Sequence, residues 1–171
     1  MQPFRFIMLI LSTSICVIWA FSANAEGIRL QRDGPIARDY IKKLEWMRCS
    51  VGQVWERETC IGEIKMLSVQ EALEVAARLK NLDGGGWRLP RTKELQSIVS
   101  QVENRPQDVE PNIDHDTFPN TFAGPYWTSD QSFYSKQYQW SVNFLTGQRF
   151  NRFFPKQKLA IRFVRDFTVQ K

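Results

Sequence analysis

The sequence predicts an α+β fold: a single compact domain with two helices packed on antiparallel strands. Three observations carry this expectation. Two helical periodicities follow one another in mid-chain, opening at Ser68 and Thr92. Apolar residues alternate at Tyr138, Trp140, Val142 and Phe144, as in a half-buried strand. Strand and helix patterns never alternate in the way that builds a parallel sheet. No internal repeat interrupts this order.

Residues 1–25 read as a cleavable signal peptide. Arg5 supplies the early charge, Phe6–Leu11 and Ile15–Phe21 the apolar run, and Ala23-Asn-Ala25 the small-residue exit. The competing reading is an uncleaved anchor, which needs Ser12–Ser14 tolerated inside a bilayer. Ala23-x-Ala25 favours cleavage and leaves no transmembrane anchor. Cys16 follows Ile15, where a lipoprotein signal requires a small residue. Residues 26–171 then suffice for one domain with a core and are too short for two. Loss of Arg5 lowers the formal charge from +5 to +4, a balance that by itself selects no partner.

Residues 26–43 are polar, contain Gly34-Pro35, and read as an N-terminal arm before a domain at 44–167. A strand is expected near the end of 40–49, and a hairpin between Ser50 and Met66. Cys49 and Cys60 form an even pair, which in an oxidising compartment predicts a structural disulfide. With a single, distant histidine they make a poor zinc site, and they stand too far apart for thiol exchange.

Ser68-x-x-Glu71 is a capping box, and Val69, Ala72, Leu73, Ala76 and Leu79 make one helical face. Gly84-Gly85-Gly86 stops that helix. Thr92 is the expected N-cap of the second helix, with Leu95, Ile98, Val99 and Val102 as its buried stripe. Residues 103–125 make a long loop with four prolines. Four strand segments follow, at Tyr126–Thr128, Tyr138–Phe144, Arg149–Phe154 and Leu159–Phe167, with a turn at Thr146-Gly147 and a break at Pro155.

Motifs that recur in one order then bring a family into view. They are Trp46-Met-Arg-Cys-Ser-Val-Gly-Gln-Val-Trp55, Cys60-Ile-Gly62, Glu71-Ala-Leu73 and Gly86-Trp-Arg-Leu-Pro-Arg-Thr-Lys-Glu-Leu95. Asn112-Ile-Asp114, Phe118-Pro-Asn-Thr121, Tyr126-Trp-Thr-Ser129, Phe144-Leu-Thr-Gly147 and Ile161-Arg-Phe-Val-Arg165 complete the series. The chain resembles the C-terminal domain of the Legionella collagen-like adhesin. Its Gly86–Leu95 segment is also similar to the C-type-lectin-like and formylglycine-generating group. The resemblance implies a small α+β domain, work outside the cell, binding of sulfated glycosaminoglycans and trimers. The collagen-like Gly-x-y stretch is missing here, and an oligomer stays open. No cysteine follows Cys60, so the formylglycine-generating chemistry does not carry over.

No residue pattern marks a catalyst, a cofactor site or a metal centre. His115, between Asp114 and Asp116, has no nucleophile to serve. The triple glycine lacks the Gly-Lys-Ser/Thr of a phosphate loop. Asp108, Glu110, Asn112, Asp114 and Asp116 offer oxygens to calcium but lack EF-hand spacing. Gly86–Pro90 reads as structural, with Arg88 paired to a carboxylate or to carbonyls. Most of the tryptophans sit in core contexts.

The stronger candidate is basic. Arg149, Arg152, Lys156 and Lys158 interleave with Phe150, Phe153 and Phe154, and from residue 131 onward Asp166 is the only acid. Arginine pairs bidentately with sulfate or carboxylate, and lysine adds point charge. Two functions follow. One is a non-enzymatic periplasmic, cell-surface or secreted domain binding anionic glycans or other polyanions through these four residues. The other is a structural or accessory subunit of an envelope assembly, a pilus or secretion apparatus, that binds proteins. Export disfavours intracellular nucleic acid, although extracellular DNA would meet the same charge.

Overall fold

A computed structural model describes residues 30–79, 85–99 and 110–167. The signal peptide at 1–25, the start of the arm, Gly84, Val102 and Asp108 lie outside the described residues.

The first sheet is built from both ends of the described chain. β1 (Gln31–Asp33), β2 (Ile36–Asp39) and β3 (Leu44–Met47) form a meander, and β9 (Val164–Asp166) closes it in the order β1-β2-β3-β9. All pairings are antiparallel, with Ala37 opposite Trp46 and Trp46 opposite Val164. The residues expected as a polar arm therefore carry two strands. Their polar side chains hid the alternation: Arg38 pairs with Glu45 at 2.7 Å, while Ala37 is fully buried. Ile36 and Ala37, adjacent and packed into different clusters, are the only apolar residues of β2 and give too weak a period to read from sequence.

β4 (Val54–Glu56) and β5 (Thr59–Ile61) form the expected hairpin. The Cys49–Cys60 disulfide ties it, with Cα atoms 5.4 Å apart.

α1 spans Val69–Leu79. Its capping box forms as expected: Glu71 N–H donates to Ser68 Oγ at 3.2 Å, and Ser68 N–H donates to the Glu71 carboxylate at 2.7 Å. Ala72 and Ala76 are buried against Trp87, Trp127, Ile161 and Phe163, with Val69 and Leu79 beside them. Leu73 is 49% exposed and lies off this face. It is one helical step from Ala72, and the 69–72–76–79 stripe is narrower than the sequence suggested.

α2 is a single short stretch, Thr92–Gln96. Arg91, not Thr92, is its N-cap, and the Glu94 carboxylate accepts the Arg91 N–H at 2.7 Å. Thr92 is drawn to the neighbouring sheet instead: its N–H donates to Asp130 and its hydroxyl meets that of Thr128. The expected stripe is shortened for a related reason. Leu95 and Ile98 are buried, but the chain turns after Gln96 and Val99 bridges Ile113.

The third sheet, β6 (Pro125–Gln131), β7 (Gln139–Asn143) and β8 (Arg149–Phe153), has the order β6-β7-β8. It lies between two apolar clusters. Tyr126 and Val142 face Leu95, Ile98, Phe118 and Phe144, whereas Trp127 faces the α1 cluster. Ser141 and Gln139, on the opposite side of β7 from Val142, are also buried. The strand is thus covered on both faces in its middle, and its alternation marks two environments rather than core and solvent. Gly147 closes the β7–β8 turn at φ 71°, a region that favours glycine. The acidic loop is draped over the core from 110 to 124, with Ile113 and Phe118 buried.

The fold is accordingly α+β, largely antiparallel, in three sheets with two short helices.

Candidate functional site

The basic residues at the end of the chain divide into two groups. One group is structural. Arg162 is fully buried and donates to the Met47 and Arg48 carbonyls, Ser50 Oγ and Thr121 Oγ1. Burial without a carboxylate partner lowers its pKa from the usual arginine value. Arg165 donates to Glu45 at 2.7 Å and lies over Trp87 at 4.4 Å. Glu45 feels burial, which opposes ionisation, but Arg38 and Arg165 outweigh it and hold its carboxyl below the ordinary value.

Arg88, from the Gly86–Pro90 segment, belongs to the same group. Its two terminal nitrogens meet the Glu94 carboxylate at 2.8 and 3.0 Å, and Asp166 adds a contact at 3.1 Å. This clamp joins α2 to β9, and the segment is structural as its composition suggested. Arg48 is a fourth structural arginine: it donates to the Thr117, Asp116 and Gly34 carbonyls and stacks on Trp55 at 3.9 Å.

The other group faces solvent. Arg149 and Arg152 sit on β8, which forms an edge of its sheet, and both are exposed. Lys156 and Lys158 follow in the turn after β8 and are exposed too. Arg149 lies over the Trp140 ring at 5.6 Å and Lys156 near the Phe154 ring at 6.0 Å, both within cation–π range. Arg149, Arg152 and Lys156 form no salt bridge among the described residues. Lys158 differs. It reaches Glu71 at 3.2 Å and so belongs partly to the α1 cap. The Ser68 backbone and hydroxyl, then Lys158, hold the Glu71 carboxyl down at about 2. The four predicted residues are thus exposed on β8 and in the segment that follows it; among the described residues three of them form no ion pair with a carboxylate, and Lys158 pairs with Glu71.

Sequence reading missed the aromatic half of this surface. Phe133 and Tyr134 project from the β6–β7 connection, 75% and 79% exposed. Their rings stand 4.3 Å apart, and Phe133 reaches Trp140 at 5.9 Å. Tyr138 meets Phe154 at 4.9 Å. A usable signal was present, since Phe133-Tyr134 lie in a turn of polar residues with no helical or strand period to place them in the core. Trp46, Trp87 and Trp127 are core residues, as their contexts implied.

The remaining candidates resolve into local structure. Asp114 accepts from the Asp116 N–H and the Thr117 hydroxyl, closing a turn in the acidic loop. His115 Nε2 is 2.9 Å from the Pro111 carbonyl. Among the described residues no three His, Cys, Asp or Glu side chains gather into a metal-binding group. A shallow apolar groove of about 660 Å³ lies elsewhere, lined by Gln53, Ile61, Ile64, Met66, Asn120 and Phe122. None of Arg149, Arg152, Lys156 and Lys158 lines it.

Fold and surface together define a small α+β domain, tied by one disulfide, with an open face of cations and rings. The family model of the Lcl C-terminal domain matches residues 35–165, and the chain belongs to that family. This is the collagen-like-adhesin family that the ordered motifs had indicated. No curated protein matches the chain. Among the described residues no helix is long and apolar enough to cross a membrane.

Proposed function

We propose that the protein is an exported, non-enzymatic binding domain that recognises anionic glycans or similar polyanions. Arg149, Arg152 and Lys156 make the contacts, with Lys158 at their margin. One observation carries the reading. The structural arginines are consumed by carboxylates and carbonyls, whereas these three cations are exposed and, among the described residues, have no carboxylate partner. Unpaired guanidinium groups on an open face are free to form bidentate bonds with sulfate or carboxylate. The disulfide fits an oxidising compartment, and family membership fits adhesin-like work. The lectin-like kinship implied by Gly86–Leu95 would make carbohydrate recognition a familiar use of such a frame.

Heparin chromatography tests it. The parent is expected to be retained, and Arg149→Ala/Arg152→Ala to elute at clearly lower salt. Elution of parent and variant at the same salt refutes the proposal.

The envelope-subunit reading has its own support in the free edge of β8, where Phe150 is 47% exposed. An unpaired strand edge accepts a strand from another protein. Pull-down from envelope extracts tests this; recovery of no stable protein partner counts against it.

A further inference from the structure

The polyanion reading uses the cations of this surface and leaves its exposed rings without a role. These rings form a band of two contacting groups, Phe133–Tyr134–Trp140 and Tyr138–Phe154. Tyr134 stacks with Phe133, Phe133 reaches Trp140, and Tyr138, two residues before Trp140, meets Phe154, which is 41% exposed. The band is interleaved with positive charge. Arg149 covers Trp140, Lys156 sits near Phe154, and Lys136 lies in the same connection as Phe133. Residues 131–165 contain no Asp or Glu.

We infer that this band docks the protein peripherally on an anionic lipid bilayer. Phe133, Tyr134 and Phe154 enter the boundary between headgroups and acyl chains, and Lys136, Arg149, Arg152 and Lys156 meet lipid phosphates. A phenyl ring has no polar handle, so Phe133 gains little from a hydrated polyanion. A bilayer surface offers an apolar phase and negative charge in the same plane, which is the pairing this band presents. Apolar rings rimmed by cations also match the general form of membrane-contact patches on otherwise polar surfaces. The inference shares its cations with the polyanion proposal, and the rings separate the two.

The test is co-sedimentation with phosphatidylcholine vesicles, with and without phosphatidylglycerol, at about 0.15 M ionic strength, where distant surface charges are screened. The parent, Phe133→Ser/Tyr134→Ser and Arg149→Ala/Arg152→Ala are compared, each carrying the same N-terminus, so residues 1–25 contribute equally. Heparin elution is run in parallel. The parent is expected on the anionic vesicles and not on phosphatidylcholine alone. The charge variant should lose about fivefold in partitioning per cation removed. The ring variant should lose about tenfold or more on vesicles and still elute from heparin at the parental salt. Matching thermal melts show that both variants fold, as their exposed positions lead one to expect. Absence of parental binding to anionic vesicles overturns the inference, as does a ring variant that binds them like the parent. A ring variant that weakens heparin retention as much as vesicle binding also overturns it, and makes the band a stacking platform for sugar rings. Vesicle binding with no heparin retention would sustain this inference and refute the glycan reading.

Discussion

Replacing Arg162 with methionine tests how the interior of the domain is organised. The guanidinium is fully enclosed between strand β3, the disulfide loop and the segment at Thr121. Nη1 donates to the Met47 and Arg48 carbonyls and Nη2 to Thr121 Oγ1 at 2.7 Å and Ser50 Oγ at 3.3 Å. Phe118 and Tyr126 flank it, with ring centroids 4.7 and 5.9 Å from its central carbon. Two effects oppose each other. Removing a buried charge relieves a desolvation penalty of several kcal/mol. Losing four hydrogen bonds from a charged donor costs about 1.5–3 kcal/mol each, and the stranded acceptors have no water to turn to. The second effect is the larger, and a net loss of about 3 kcal/mol follows. For a domain of this size that lowers Tm by about 10 °C. Arg162→Lys keeps the charge but not the fork, so it should still lose about 2 kcal/mol. Thermal melting by circular dichroism is the assay. A methionine variant that melts with the parent would show that the network holds nothing together.

Other perturbations follow from the same contacts. Cys49→Ser/Cys60→Ser opens a bridge of sequence separation 11; the chain-entropy estimate gives a loss of about 3 kcal/mol, measurable by urea unfolding, and an unchanged midpoint would refute the assigned role. Glu71 sets a pH window. Its carboxyl is held at about 2 in the fold against the ordinary 4.5. The group's stability contribution is therefore present above pH 4.5 and is lost as pH falls towards 2. Glu71→Gln should flatten the acid arm of the stability profile in that window, and an unaltered arm would contradict the capping assignment.

The legible parts of the fold were those in which a short segment settles its own structure. Ser68 and Glu71 satisfy each other's amides across one helical turn, so the capping box could be read before any packing was known. Cys49 and Cys60 needed only their number and compartment. Features that depend on distant partners were hidden. Ala37 is the one buried side chain facing Trp46 from a polar strand, and nothing local marks it. Thr92 looked like an N-cap until Asp130, far along the chain, took its amide. The candidate site divides in the same way. Run and charge singled out Arg149, Arg152 and Lys156, but Arg162 and Arg165 stood in the same basic stretch. Only the fold separates a guanidinium wrapped by the Met47 and Arg48 carbonyls from one left in water. Phe133 and Tyr134 went unread although they lie in a polar turn with no period that would place them in the core.

We propose that anions are held by Arg149, Arg152 and Lys156 on β8 and the turn after it, which form no salt bridge among the described residues. Calorimetric titration of the protein with a heparin fragment over a range of salt concentrations measures this directly. Each cation that neutralises an anionic group releases counterions, so affinity falls with salt at a slope set by the number of contacts. The account predicts measurable binding whose salt slope drops by about two units in Arg149→Ala/Arg152→Ala, one for each cation removed. Equal affinity and equal slope in parent and variant, or no binding by the parent, would contradict it.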